Sequence, residues 1–384
     1  MAAPMSSSSH IPTPPNELSA RVSKVAGVVF VAFLALGFVS CTWLLLSGKV
    51  EMLPTKLTRE AMLEGDVTHK IAKQLSKAAV PERAAELERG ASWLMLRDTG
   101  PRVRSGCQGW LFLTDEMRIN RHAQANAATK AGVVHQIQQR LAKRDITLLV
   151  AVVPDKSRIA SVQLCELRRP AMLRDRVVLW VDGLKKAGVA VVDLAPTLQP
   201  LGDAAYLRTD THWSETGSAA AARALARQVQ VMGISATPHK DFEVKIQDQA
   251  RRPGDLVRLA GLEWLPVAWQ PLPETVATTQ ISEKATEAQD GGDNLDDLFG
   301  DDNLPNVALI GTSFSRNSNF AGFLQQALGA PIGNFGKDGG EFSGGANGYF
   351  NNPAFKQTPP KLVIWEIPER DLQTPYSEVI DWAK

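Results

Sequence analysis

Apolar positions along this chain follow two distinct periods, after one long uncharged run near the start. Between Lys24 and Lys49 the sequence VAGVVFVAFLALGFVSCTWLLLSG carries no charge, and about 20 such residues suffice for a helix to cross the hydrocarbon core of a bilayer. Further on, Val133, Val134, Ile137 and Leu141 sit at helical spacing within residues 127–144, and the following run ITLLVAVV, 146–153, is almost wholly apolar. The first pattern predicts an amphipathic helix and the second a strand buried on both faces. The pair recurs as a helix over 174–187 and a strand over 189–194. An alanine-rich helix over 214–231 follows, with Ser214 placed to cap its start and Gly233 beyond its end. A strand at 306–310, a helix around 320–328 and a strand at 362–367 complete the series, and a short strand is expected at 108–113 after a glycine turn. Apolar strands separated by amphipathic helices predict a parallel sheet covered on both sides, a three-layer α/β/α domain.

The segments outside this series divide the chain. Residues 1–24, rich in Ser and Pro with Arg21 and Lys24 at the end, read as a short disordered cytoplasmic tail. Residues 25–48 read as a transmembrane anchor. A cleaved signal peptide is the rival reading, but the apolar run exceeds the usual 7–15-residue core of such peptides. With the N-terminus inside, the remainder forms a single extracytoplasmic domain, tethered by one pass through the membrane. Residues 49–105 read as a connecting helical segment, polar and helix-compatible from 58 to 89, and 106–384 as the α/β domain. An acid-rich stretch with a Gly-Gly pair, 281–305, interrupts it as a solvated loop, since its acids lack the order of a calcium-binding loop.

Composition excludes several classes of function. The 384 residues carry 42 Lys and Arg against 41 Asp and Glu, a net charge of +1, so no broad field favours nucleic acid. Three cysteines, Cys41, Cys107 and Cys165, make neither a disulfide scaffold nor a zinc pattern; Cys107 and Cys165 can pair in an oxidising compartment. The run Gly333-Asn334-Phe335-Gly336-Lys337-Asp338 has the wrong spacing for a phosphate loop. Neither a cofactor nor a metal is expected.

Two stretches carry candidate chemistry, both placed to end in the crevice at the carboxyl ends of the strands, where open α/β sheets gather reactive groups. In RTDTHWS, 208–214, Asp210 and His212 share one face of an extended segment. In GTSFSR, 311–316, Ser313 stands at the turn after a buried strand. A serine hydroxyl becomes nucleophilic when a histidine takes its proton, and a carboxylate fixes that histidine's tautomer. Ser313, His212 and Asp210 supply these roles, with Ser315 as the runner-up nucleophile. Each has a plainer reading: a serine after a strand as a helix cap, an Asp-x-His as a surface pair or a metal site lacking a third ligand. His10, His69, His122, His135 and His239 lack such partners in sequence. Backbone N–H groups at the helix start, or the glycine-rich stretch 335–352, can supply oxyanion donors. Arg208, Trp213, Arg316 and Tyr349 are candidates for substrate contact.

TDTHWSETGSAAAA, GTSFS and VIWEIPERDL together resemble the alginate O-acetyltransferase family, the J- and X-type proteins with an SGNH-hydrolase-like domain. GCQGWLF, VVPDKSRI and RPGDLVRLAGL support the resemblance, which spans nearly all of the exported part. The Asp-x-His pair precedes the serine, an order permuted relative to most SGNH hydrolases. The resemblance implies a serine O-acetyltransferase or acetyl esterase acting on an exopolysaccharide of alginate or cellulose type, with Ser313 as nucleophile, His212 as base and Asp210 as its orienter. It also implies a multi-spanning membrane acyltransferase as acetyl donor and other subunits of a polysaccharide synthesis and secretion complex as partners. The anchor points to the J-type, and the resemblance implies a periplasmic domain held to a bacterial inner membrane by a single pass, with Arg208, Trp213, Arg316 and Tyr349 meeting sugar. A non-catalytic role in assembling such a complex is the remaining alternative. A tyrosine of some relatives is matched here by Phe314.

Overall fold

The computed structural model describes residues 20–48, 50–53, 59–63, 65–284, 304–376 and 378–381. The chain divides into two compact units after Glu88. In the first, helix α1 (Ala20–Leu46) runs for 27 residues, about 40 Å at the α-helical rise. Its mean hydropathy reaches 2.4, and side chains such as Val28, Phe30, Leu34 and Phe38 are exposed to their surroundings, so it is long and apolar enough to cross a membrane. The polar helix expected over 58–89 is broken. Helix α2 (Asp66–Leu75) stops and α3 (Ala79–Leu96) starts anew with Pro81 in its first turn. A proline ring is tolerated there but would clash with a helix running through it. Residues 1–19 of the expected tail lie outside the described residues.

In chain order the second unit runs β1 (Val103–Ser105), β2 (Leu111–Leu113), α4 (Ala123–Ala142), β3 (Thr147–Val153), α5 (Arg176–Lys186), β4 (Ala190–Asp193) and α6 (Glu215–Val231). It continues through β5 (Phe242–Ile246), β6 (Ala250–Arg252), β7 (Glu274–Val276), β8 (Thr279–Glu283), β9 (Val307–Gly311), α7 (Phe320–Leu328), β10 (Gly333–Gly336), α8 (Gly344–Phe350) and β11 (Leu362–Pro368). Five strands form one parallel sheet in the order β10-β9-β11-β3-β4. Helices α4, α5 and α8 pack with Leu148, Val150, Ile310 and Trp365 on one face; α6 and α7 pack with Leu149, Ala151, Leu309 and Ile364 on the other. Alternate residues of each strand therefore enter opposite layers, which is why the strands read as unbroken apolar runs.

Four features depart from the sequence reading. The strand expected at 108–113 is shorter and pairs antiparallel with β1, outside the main sheet. Two antiparallel ribbons, β5 with β8 and β6 with β7, are inserted before β9. Of the acidic stretch 281–305, residues 281–283 belong to β8, and 285–303 lie outside the described residues. The second unit also starts earlier than position 106: Trp93 shares a buried cluster with Val103, Leu111, Leu256 and Leu262. Cys107 and Cys165 are joined by a disulfide, with Cα atoms 5.1 Å apart. Cys41 is free.

Candidate active site

Strand β9 delivers Ser313 to the carboxyl edge of the sheet through a turn only glycine can make. A Cβ on Gly311 would lie 2.5 Å from Glu366 Oε2 and 2.8 Å from the Glu366 carbonyl oxygen. Beneath the turn the buried Glu366 carboxylate accepts the Thr312 N–H at 2.7 Å, the Thr312 hydroxyl at 3.0 Å and the Ser315 hydroxyl at 3.0 Å. Burial pushes this carboxyl above its ordinary range, against the pull of those hydrogen bonds. Ser315 is fully buried with its hydroxyl committed to Glu366, whereas Ser313 faces an open cleft. The geometry therefore favours Ser313 over its neighbour as a nucleophile.

The Asp-x-His stretch lies across from it, ahead of α6, whose N-cap Ser214 accepts the Gly217 N–H at 3.1 Å. His212 Nε2 stands 2.7 Å from Ser313 Oγ, and His212 Nδ1 stands 2.6 Å from Asp210 Oδ1. The same Oδ1 accepts the His212 backbone N–H at 3.0 Å, so one carboxylate oxygen fixes both the ring and its backbone. Burial alone would raise the Asp210 carboxyl; the hydrogen bond and charge of His212 outweigh it and hold the group well below the usual carboxylate range. The three side chains form a continuous hydrogen-bonded line across 103 positions of sequence, from Asp210 to Ser313.

The surroundings contain residues that sequence reasoning missed. Asp255, from the RPGDL stretch, accepts the Thr211 N–H at 2.7 Å and stands 3.8 Å from His212 Nδ1. It is a third ligand-type group beside the Asp-x-His pair: Asp210, His212 and Asp255 bring such atoms within 4.8 Å of one another. Each of the three is already engaged in the loop's own hydrogen bonds. Asn317 donates its side-chain amide to the Ser313 carbonyl at 2.9 Å and lies 3.4 Å from His212 Nε2. Arg370 from the IPERDL stretch lays its guanidinium 5.3 Å from the centre of the Phe314 ring, whose edge also meets His212 at 5.0 Å. The cleft, about 670 Å³, is walled in part by Arg102, Arg118, Arg258 and Arg370. A signal for Asp255 and Arg258 existed in the RPGDLVRLAGL stretch, but Thr211, the partner of Asp255, lies 44 positions away.

Of the four residues expected to meet sugar, two are corrected. Trp213 is fully buried, packed between Phe314 at 5.1 Å and Phe320 at 4.6 Å. Tyr349 is buried in the core against Phe335, Phe350 and Phe355. Both aromatic rings are spent on packing and present no face to a ligand. Arg208 donates to the Leu272 carbonyl at 3.0 Å. Arg316 stands 3.7 Å from Asp338, which lines the cleft. Of the glycine-rich stretch 335–352, Gly339 and Glu341 also line it. Phe314 meets the His212 ring at 5.0 Å between centroids and serves as its apolar support.

Comparison with known proteins places this geometry in context. Residues 103–369 match the family described as the SGNH hydrolase-like domain of the acetyltransferase AlgX. The chain is 31% identical over 322 residues to the probable alginate O-acetylase AlgJ of Pseudomonas aeruginosa, covering 81% of each. It is 31% identical over 281 residues to the protein of the same name in Azotobacter vinelandii, covering 72% of this chain and 71% of that one. The solved O-acetyltransferase domain of Pseudomonas putida AlgJ aligns with a TM-score of 0.60 at 26% identity, over 72% of this chain and 94% of that domain.

Proposed function

The chain belongs to the AlgX family of SGNH hydrolase-like acetyltransferase domains, and on that premise we propose that it is a polysaccharide O-acetyltransferase working through Ser313, His212 and Asp210. The observation that carries the reading is the unbroken hydrogen-bonded line from Asp210 through His212 to Ser313, opening on a cleft. His212 Nε2 takes the proton of Ser313 Oγ as that oxygen bonds to the acetyl carbonyl carbon of the donor. The tetrahedral intermediate then expels the donor's leaving group, which leaves with the proton from His212. A sugar hydroxyl next enters, gives its proton to His212 and attacks the acetyl carbon; the ester to Ser313 breaks and the proton returns to Oγ. Asp210 stays ionised throughout and stabilises the imidazolium. The second N–H of the Asn317 amide lies beside the reacting pair, as suits a donor to the oxyanion.

Helix α1 serves as a single-pass anchor, with Arg21 and Lys24 on the cytoplasmic side and the α/β unit in the periplasm. The acceptor is an exopolysaccharide of alginate or cellulose type. The acetyl group arrives from a multi-spanning membrane acyltransferase, within a complex of polysaccharide synthesis and secretion subunits. The test is to expose the protein to 4-nitrophenyl acetate, with and without oligosaccharide, and locate the adduct by mass spectrometry. An acetyl group on Ser313 that moves to the sugar supports transfer. Acetate released with no acetylated sugar under any acceptor makes the protein an esterase, and an unchanged acetyl adduct in Ser313→Ala removes this serine from the chemistry.

A further inference from the structure

Lys156 follows the end of β3 and is only 1% exposed, yet among the described residues none of its hydrogen bonds goes to a carboxylate. Its Nζ donates to three backbone carbonyls: Leu111 at 2.6 Å, Arg208 at 2.8 Å and Asp210 at 3.0 Å. Trp110 and Phe112 flank the ammonium, with ring centres 5.0 and 5.2 Å away. An ammonium has three N–H donors and no acceptor, so the count of donors equals the count of carbonyls. We propose that Lys156 is a positioning residue for the reaction, its ammonium fastening the backbone of the Asp-x-His loop so that Asp210 holds His212 in line with Ser313. The inference rests on the reading of Ser313, His212 and Asp210 as the reacting set.

Other backbone groups of that loop have their own partners, which shows what Lys156 adds. Glu274 accepts the Thr209 N–H at 2.9 Å, the Thr209 carbonyl accepts Leu256 N–H at 3.2 Å, and Asp255 accepts Thr211 N–H. Gly254 lets the neighbouring backbone come so close that a Cβ there would sit 1.9 Å from the Thr209 carbonyl oxygen. These contacts grip Thr209 and Thr211. Lys156 grips the two carbonyls on either side of Thr209, including that of Asp210 itself. An Asp210 backbone free to move would lengthen the 2.6 Å contact to His212 Nδ1, and a misplacement of about 1 Å costs on the order of 100-fold in rate.

The protonation state matters to this role. Burial lowers the Lys156 ammonium to about 8, against the opposing charges of Glu116, Glu274, Asp210 and Asp255 that face it. A neutral amine has two N–H groups and a lone pair, so on deprotonation one of the three carbonyls loses its donor and meets a lone pair instead.

The experiment uses the full-length protein in detergent and follows the burst of 4-nitrophenol from 4-nitrophenyl acetate, with the Ser313→Ala rate subtracted. The wild-type burst rate is expected to fall above about pH 8 while circular dichroism stays unchanged. Lys156→Met is expected to lower the burst rate about 100-fold per folded molecule and to abolish that alkaline fall. Leu225→Ala, a core truncation in α6, supplies the control for lost stability and is expected to keep both the rate and the alkaline fall. A wild-type profile flat through pH 9.5 overturns the inference without any variant. So does a Lys156→Met protein that acylates at the wild-type rate, or that is slowed while keeping the alkaline fall. A burst that survives in Ser313→Ala strikes instead at the function proposed above.

Discussion

The Glu366 carboxylate accepts the Thr312 N–H at 2.7 Å and the Ser315 hydroxyl at 3.0 Å, so the turn that presents Ser313 rests on a buried acid one strand away. The two serines of the GTSFS turn thereby have different tasks. Ser315→Ala removes one of several donors to Glu366 and is expected to cost about 1 kcal/mol of stability while acylation persists. Ser313→Ala is expected to leave stability nearly unchanged and to abolish the acetyl adduct. Thermal melts and adduct mapping on both variants check the assignment; an adduct lost in Ser315→Ala and kept in Ser313→Ala would reverse it.

Asp210 touches His212 through one oxygen, on both the ring and the backbone. Asp210→Asn keeps the shape but can turn an N–H toward Nδ1, which selects the wrong tautomer. The acylation rate is expected to fall by about 10⁴, as when the orienting acid of a serine triad is replaced by its amide. Single-turnover kinetics at pH 7 measure it, and a loss under tenfold would mean that the carboxylate is dispensable.

Glu369 closes a buried ionic knot. Arg158 reaches it through two bonds of 2.7 and 2.6 Å, Arg176 through one of 2.8 Å, and Arg169 adds a further contact. Burial would raise its carboxyl, but Arg158, Arg176 and Arg169 bring it down to about 2. A depressed folded value means that its stabilisation is present above the unfolded value of about 4.3 and is lost as pH falls toward 2. Glu369→Gln is expected to cost about 3–5 kcal/mol at neutral pH by leaving guanidinium groups uncompensated. The variant's stability should also decline less between pH 4 and 2 than the wild type's, as read by urea unfolding across that range.

The Cys107–Cys165 bond closes a loop with a sequence separation of 58. Chain entropy predicts that it stabilises the fold by about 4 kcal/mol. Reduction with dithiothreitol should lower the melting temperature accordingly, and the Cys107→Ser, Cys165→Ser double variant should melt at the reduced protein's temperature with no further response to reductant. A melting temperature indifferent to reductant in the wild type would rule the contribution out.

The sheet and its helices were legible because β3, β9 and β11 bury every position but one, so their apolar runs stand out from the amphipathic helices between them. Ser313, His212 and Asp210 were legible for a related reason: a small residue after a buried strand, and an i, i+2 pair before a capped helix, are local signals. What escaped depends on distance along the chain. Lys156 meets Asp210, Asp255 meets Thr211 and Glu366 meets Thr312 across 54, 44 and 54 positions. Trp213 and Tyr349 misled because an aromatic residue inside a polar motif reads as a surface group, whereas each fills the core behind the site. The ribbons β5–β8 and β6–β7 are short and largely exposed, so no apolar period announces them.

The order of the sheet sets a schedule for making the protein. Strand β11 lies between β9 and β3, so the strand at the middle of the sheet leaves the ribosome after both of its neighbours. Until it arrives, β9 and β3 face each other across an empty place, and Glu366, the support of the Ser313 turn, does not yet exist. The long-range pairing that completes the sheet is the slow kind of contact to form. The Ser313 turn therefore gains its support only once β11 has been made and has paired with both of its neighbours.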